Sequence, residues 1–324
     1  MSLADLILTR RMCGRMLAGA VLAGLRRSAD AADPASGNFL SWESEPGPDT
    51  GHERRYRATA QILVFSLPLV RWPNVGGGSA AWRESSSQHD GQLRLLEFTG
   101  FSHPERAAGL NRLGFIRELS RVSAGTASES IYFGLMTASP EETAEEARKA
   151  IHSKAKEAAY TAIDGRLTAG SVETIVAHFM APANWSADNR NELIQLARKA
   201  LAMTPPRPPE TDAHAAEVRP FLETLANALR QTGPVEARFA YAGRFYKLWL
   251  EKAPDAKATT NFRERGLVSA NSQVLRASGK LRREAGGKES NFRLWVEEGA
   301  ARPLPLRIEY QARAFLRLIF EAEG

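Results

Sequence analysis

This chain has a single cysteine, and its histidines lack the short spacings that are typical of metal sites. Its 324 residues include one cysteine, Cys13, so an intrachain disulfide and a thiolate zinc cluster are both excluded. The six histidines never recur at the i, i+2 or i, i+4 spacing typical of paired zinc ligands. We therefore expect neither a metal nor a cofactor.

Long apolar runs are also absent. No stretch reaches the roughly 18 apolar residues that a membrane-spanning helix requires, and the mildly apolar run 16–25 is far shorter. The excess of positive charge is small, because residues 1–31 carry half of the net charge of +6. Nucleic-acid binding needs a clustered basic face on the folded body, so we expect no nucleic-acid partner.

The first residues have the three parts of an export signal. Arg10 and Arg11 precede the apolar run 16–25, and a small-residue Ala-Asp-Ala sequence follows at 29–31. We interpret residues 1–31 as a twin-arginine-like signal peptide that directs the protein to the bacterial periplasm, by the twin-arginine or the general secretory route. The alternative is an N-terminal extension of a cytoplasmic protein.

A single β-rich α+β domain is predicted at residues 56–324, after a flexible linker at 32–55 that is rich in Ser, Gly, Pro and Asp. Apolar and β-branched patterns predict strands within 56–70 and at 91–101, 115–122, 130–136 and 171–180. Pro68 and Pro73 lack the N–H group that a central strand needs, so we expect no regular central strand around them.

Three helices are predicted in the stretch 139–231, which we interpret as a helical insertion. Their spans are 139–163, 186–203 and a third that begins after Pro220 and ends near 231. Ser139 and Glu142 form a capping box at the start of the first helix. Alanines dominate the inner stripe of that helix, so we expect it to lie close against a sheet.

The C-terminal part alternates between apolar and polar residues. Residues 235–241 and 244–252 flank Ala242-Gly243, a two-residue hairpin turn. At 292–297, Phe, Leu and Val alternate with Arg, Trp and Glu. We therefore predict an antiparallel meander with one apolar and one mixed face. The predicted fold class is α+β, with a large curved antiparallel β-sheet covered by about three helices inserted mid-chain.

The residues of this meander also resemble a known group of proteins. The run Tyr241-Ala242-Gly243-Arg244, then FYKLWLE, NFRLWVEEG and LPLRIEY, resembles the C-terminal sheet of exported bacterial domains of unknown function. Those domains are similar in architecture to LolA-type lipoprotein carriers, in which a strongly curved antiparallel sheet wraps helices. The resemblance covers residues 235–321. It implies a fold and an envelope location, and it brings no catalytic residues.

The mixed face of the meander is the candidate binding surface. Aromatic and basic side chains share this face, and the candidate residues are Phe245, Lys247, Trp249, Arg293, Trp295, Phe315 and Arg317. On a curved sheet they could hold an acyl chain or an acidic amphiphile, with the basic groups at the rim. The alternative is that the helices rest on the aromatic rings while the basic groups extend into solvent.

Binding in the cell envelope is therefore the predicted function, with a lipid or a lipoprotein as the partner. One alternative is a scaffold that binds an envelope protein without a small ligand. Another is a hydrolase, but its motifs are incomplete. The stretch 76–79 (Gly-Gly-Gly-Ser) lacks the residues of a phosphate loop, and Ser153 with Lys156 matches S-x-x-K without its partner motifs. No catalytic residue is assigned.

Overall fold

The described part of the chain begins at the end of the predicted linker. The computed structural model describes residues 51–64, 67–87, 91–103, 105–107, 112–123, 126–137, 157–168, 171–182, 190–210, 218–287, 289–313 and 316–324. The predicted signal peptide, the first residues of the predicted first helix, and Phe315 lie outside these ranges. Residues 51–55 of the predicted linker belong to the first strand.

Fifteen strands and three helices occur in these ranges. The strands are β1 Gly51–Val64, β2 Leu67–Ser87, β3 Gly91–Ser102, β4 Leu113–Ser123, β5 Thr126–Thr137, β6 Glu157–Thr168, β7 Ser171–Pro182, β8 Arg207–Glu210, β9 Arg219–Pro220, β10 Val235–Tyr241, β11 Arg244–Pro254, β12 Val274–Arg283, β13 Ser290–Glu297, β14 Arg307–Arg313 and β15 Leu316–Ala322. The helices are α1 Arg190–Ala202, α2 Phe221–Arg230 and α3 Ala256–Glu264. The predicted fold class is confirmed.

All fifteen strands belong to one unclosed sheet. Its order is β8-β7-β6-β5-β4-β3-β2-β1-β15-β14-β13-β12-β11-β10-β9. The first and last of the described strands therefore pair in the middle of the sheet, from Tyr56 opposite Ala322 to Ile62 opposite Leu316. Neighbours are antiparallel except β9 and β10, which are parallel. We call β1–β8 the amino arm and β9–β15 the carboxyl arm.

The two arms curve towards each other. Tyr132 of β5 and Tyr241 of β10 are far apart in the strand order, yet their ring centroids lie 6.1 Å apart. We call the surfaces that the arms turn towards each other the inner face, and the opposite surfaces the outer face. Because side chains alternate along a strand, each strand contributes to both faces.

One helix lies between the arms, and the other two cover the outer face. On the inner face, Leu229 of α2 packs in the core of the carboxyl arm, and Ala226 packs against Trp82 of the amino arm. On the outer face, α1 packs on the amino arm through Leu193 and its buried neighbours. Helix α3 packs on the carboxyl arm through Phe262.

The predicted first helix is wrong over 157–163, where the structure has β6. Alanine spacing along this stretch fits either a helix or a strand, and Tyr160 and Ala162 are buried on the face that α1 covers. β6 pairs with β5 on one side and with β7 on the other. Pairing on both sides outweighs the helix propensity of the alanines.

β2 continues through Pro68 and Pro73, but there it is an irregular strand with one neighbour and not the regular central strand that these prolines are expected to exclude. β2 pairs with β3 only from Gly76 onward, so the proline-containing part of β2 has a single neighbour, β1. The pairing with β1 also shifts register between Ala58 and Ala60. Prolines are tolerated at edges and bulges, where fewer N–H groups are needed for pairing.

In each arm an aromatic ring lies over a glycine of the neighbouring strand. Tyr132 is the cross-strand partner of Gly165, and Phe292 is the partner of Gly279. A Cβ atom at either glycine would lie 2.1 Å from the Cζ atom of the ring. Both rings are buried. Each ring fits on the inner face because the glycine beneath it has no side chain.

We expect Gly279→Ala to lower the free energy of unfolding by about 1–3 kcal/mol, because the added methyl group displaces the ring of Phe292. Urea denaturation measures this change. Ser278→Ala is the matched control, since Ser278 is exposed on the opposite face and its loss should change stability by less than about 0.5 kcal/mol. Equal effects of the two substitutions would contradict the packing described.

Candidate functional site

An apolar cavity of about 320 Å³ lies between the two arms. Its walls come from the inner faces of both arms, from α2 and from the connection before β14. The residues used below are Ala80, Trp82, Leu96, Phe98 and Ile116 of the amino arm, Leu294, Ile308, Tyr310 and Phe320 of the carboxyl arm, and Leu225 and Ala226 of α2. Glu97 also borders the cavity, but strand alternation directs its side chain to the outer face, where it pairs with Arg117 and Arg190.

Strand alternation explains why these walls are apolar. Trp82 is opposite Leu96, and Ala80 is opposite Phe98, so successive inner positions of β2 and β3 form one apolar layer. In the carboxyl arm the inner layer includes Leu294 opposite Ile308. The small side chains of Ala80 and Ala226 leave space between the arms.

The connection between β13 and β14 borders the cavity and is fixed on two sides. The Tyr56 hydroxyl donates a hydrogen bond to the Pro305 carbonyl at 2.8 Å. From α2, the Arg230 guanidinium donates to the Ala301 carbonyl at 2.7 and 3.0 Å. At the rim, Tyr310 is a lining residue that is 39% exposed, so this side of the cavity reaches solvent.

A buried polar cluster joins the amino arm to the first turn of α2. Both carboxylate oxygens of Glu118 accept backbone hydrogen bonds, from Leu222 at 2.7 Å and from Glu223 at 2.8 Å. Pro220, the residue before the helix, provides no side-chain cap. Glu118 therefore caps α2 from another strand, because its carboxyl oxygens accept N–H groups of the first turn that have no partner within the helix.

The second carboxylate of this cluster has hydroxyl partners. Ser120 donates to Glu223 at 2.5 Å, and Ser130 donates to it at 3.2 Å. Both Glu118 and Glu223 are almost fully buried. Burial raises the pKa of Glu118 to about 8 against the effect of the backbone N–H groups, and the charge of Glu223 raises it further.

Asp164 of β6 is another buried acid. Burial raises its pKa to about 7, while the Gly165 N–H group and the charge of Arg198 act in the opposite direction. Neither Glu118 nor Asp164 lines the apolar cavity. Neither carboxyl group is therefore placed beside a ligand in the cavity.

Apart from Phe245, which packs in a buried cluster with Ala240 of β10 and Tyr132 of β5, the sequence-predicted residues that the structure describes lie on the outer face of the carboxyl arm. Phe245, Lys247 and Trp249 are on β11, Arg293 and Trp295 are on β13, and Arg317 is on β15. Helix α3 covers Trp295, whose indole N–H donates to Asp255 at 2.9 Å. The Arg282 guanidinium lies 5.6 Å from the Trp249 ring centroid. The helix over Trp295 is therefore not one of the three helices predicted at 139–231.

Two features were missed from the sequence. Helix α3 has a local signal, because Asp255 follows Pro254 and its side chain accepts the Ala258 N–H at 3.0 Å, as an N-cap does. The sequence contains only part of the information that would locate the cavity. The alternation identifies Leu294 as a residue of the apolar face, but it does not reveal that the opposite arm leaves space there.

Comparisons with known proteins add little. No family model matches the chain, and no curated protein matches it. Among solved structures, the chain is similar to a crystal structure described as a beta-barrel-like protein of domain of unknown function DUF1849 from Brucella abortus. The TM-score is 0.38 at 8% identity, over 84% of this chain and 96% of that chain. A likeness this distant carries no argument, and the LolA-type resemblance stays a prediction.

The described ranges contain neither a membrane-spanning helix nor a cluster of metal ligands. None of the helices there has the length and apolar character needed to cross a membrane. In the same part of the chain, no three His, Cys, Asp or Glu side chains are grouped so that they could hold a metal ion.

The raised pKa of Glu118 predicts that stability falls as pH rises from about 4.5 to about 8. In this window the folded protein keeps a proton that the unfolded chain has released, so each pH unit lowers the free energy of unfolding by up to about 1.4 kcal/mol. Urea denaturation at pH 5, 6.5 and 8 measures the slope.

Glu118→Gln should reduce this slope, because the amide does not titrate, and the contribution of Asp164, whose pKa is raised to about 7, should remain. Glu236→Gln is the control, since Glu236 is exposed on β10 and its removal should leave the slope unchanged. The same slope in the Glu118→Gln variant and in the native chain would contradict the assignment.

Proposed function

We propose that this protein is exported and binds the apolar part of an amphiphile in the cell envelope without catalysing a reaction. The cavity between the arms carries the proposal. Its volume of about 320 Å³ is at the lower end of the roughly 300–1,000 Å³ of small-molecule sites. That size suits a single acyl chain or a body of similar bulk.

The chemistry of the walls supports an apolar ligand. Water in a cavity needs several polar partners, and inner-face residues such as Leu225, Ile116 and Phe320 offer none. An acyl chain placed there would gain van der Waals contacts with both arms and with α2 while leaving water. The exposed Tyr310 at the rim suits the polar end of the amphiphile, because tyrosine combines an apolar ring with a polar hydroxyl group.

The outer face remains a second location for the same ligand chemistry. Lys247 and Arg293 are partly or largely exposed there, and they could contact an acidic headgroup. The indole of Trp249, which is beside Arg282, offers an aromatic surface on that face. A test of the proposal must therefore change the two faces separately.

Ala226→Phe is the variant that fills the cavity, since Ala226 is buried in its wall. We expect the affinity for a fluorescent fatty acid, measured by titration, to fall at least about tenfold. The melting temperature should be unchanged or higher, because the new ring occupies empty space. Trp249→Ala on the outer face is the control, and its affinity should match that of the native chain.

Unchanged probe affinity in the folded Ala226→Phe variant would overturn the cavity as the binding site. Loss of affinity in Trp249→Ala alone would place the ligand on the outer face. If the native protein binds no probe and native mass spectrometry finds no bound lipid, amphiphile binding itself is wrong.

The export part of the proposal has its own test. Fractionation of bacterial cells that produce the full chain should yield a shortened protein in the periplasmic fraction, because the segment 1–31 has the features of a cleaved signal. Changing both Arg10 and Arg11 to Lys should keep the precursor in the cytosol if the twin-arginine route is used. A full-length native chain in the cytosol would contradict export.

A further inference from the structure

A second concave site lies on the outer face of the amino arm. This groove has a volume of about 780 Å³ and is bordered by β1, β2, β3, the turn after β3 and the first residue of α1. Four arginines line it, namely Arg55, Arg57, Arg106 and Arg190. It is separate from the apolar cavity, because it lies on the other face of the sheet.

Glycine keeps the floor of the groove open. Gly77 of β2 lies between Arg57 of β1 and Phe101 of β3 in the pairing of the three strands. A Cβ atom at Gly77 would lie 2.9 Å from the Phe101 ring, so a side chain there would displace the ring. The floor of the groove therefore consists of β2 backbone beside the Phe101 ring. The centroid of the His103 ring lies 5.3 Å from that of Phe101.

Hydroxyl groups add to this floor. Ser79 and Thr99 face each other across β2 and β3, and both line the groove. The Thr99 side chain is buried, and its hydroxyl oxygen has no hydrogen-bond partner among the residues that the structure describes. Buried hydroxyl groups in proteins are nearly always hydrogen-bonded. The Thr99 hydroxyl can therefore form a hydrogen bond with a ligand at this point of the groove.

The positive charges of the groove are only weakly neutralised. Arg55 lies 3.7 Å from Glu53, and Arg57 lies 3.4 Å from Glu323, and all four side chains are at least 42% exposed. Exposed pairs of this kind contribute at most about 1 kcal/mol. Both arginines can therefore exchange these partners for a ligand.

At the other end of the groove two arginines share one carboxylate. Glu97 accepts from Arg117 at 2.7 Å and from Arg190 at 3.0 Å. Arg190 therefore shares its carboxylate partner with a second arginine. The guanidinium of Arg190 also lies 4.8 Å from the Phe115 ring centroid, which fixes its position next to the groove.

We propose that this groove binds a phosphate-bearing anion. Planar guanidinium groups bind phosphate oxygens through paired hydrogen bonds, and Arg55, Arg57 and Arg106 reach the groove from two directions. The hydroxyl group of Ser79 and the glycine backbone provide further polar contacts. The phosphate comes either from a soluble phosphate compound or from the headgroup of an anionic lipid.

Isothermal titration calorimetry with inorganic pyrophosphate tests the groove. The variant in which Arg55, Arg57 and Arg106 are all changed to Gln should bind at least about tenfold more weakly, because several charge-assisted hydrogen bonds are lost. The matched control changes Lys257, Arg276 and Lys280 to Gln, which removes the same charge from exposed positions on the outer face of the carboxyl arm and on α3. Its affinity should change less than about twofold.

Vesicles distinguish the two sources of phosphate. Sedimentation with phosphatidylglycerol vesicles that depends on the three groove arginines, without pyrophosphate binding, assigns the groove to a lipid headgroup. Pyrophosphate binding that depends on them assigns it to a soluble phosphate compound. Equal losses in both triple variants, or no binding of either probe by the native chain, would overturn the proposal. These outcomes are independent of the apolar cavity.

Discussion

Glu118 of β4 accepts the first backbone N–H groups of α2, and this contact fixes the helix between the two arms of the sheet. The arms pair with each other along β1 and β15, while α2 packs on the carboxyl arm through Leu229 and on Trp82 of the amino arm through Ala226. A helix end buried without hydrogen-bond partners would be costly. The carboxyl group of Glu118 provides the acceptors for these N–H groups, because Pro220 offers no side-chain cap. The cavity is the space that this helix and the two arms leave unfilled.

The two faces of the sheet have different chemistry because one alternation runs through the whole chain. Inner positions such as Leu96 and Leu294 are apolar and surround the cavity, while outer positions carry arginines, carboxylates and the rings that α1 and α3 cover. The protein can therefore bind an apolar ligand on the inner face and an anion on the outer face at the same time. The sheet itself separates them, with Gly77 and Ser79 facing outward where Ala80 faces inward.

Local features of the fold were predictable from the sequence, and long-range ones were not. The alternation at 292–297 and the turn at Ala242 and Gly243, both with positive φ, follow from neighbouring residues alone. The helix expected at 157–163 is a strand because β5 and β7 pair with it. The contact of Glu118 with Leu222 joins residues 104 positions apart, and no local pattern contains it. For the same reason the sequence pointed to the outer face and not to the cavity.

The central claim is that an apolar ligand lies between the arms. A crystal structure of the protein with a brominated fatty acid tests it most directly, because anomalous scattering locates the bromine atom without assumptions about the fit of the chain. The account predicts a bromine peak on the inner face, within contact distance of Ile308 or Phe320. A peak beside Trp249 on the outer face, or an inner cavity filled by protein side chains, would contradict it.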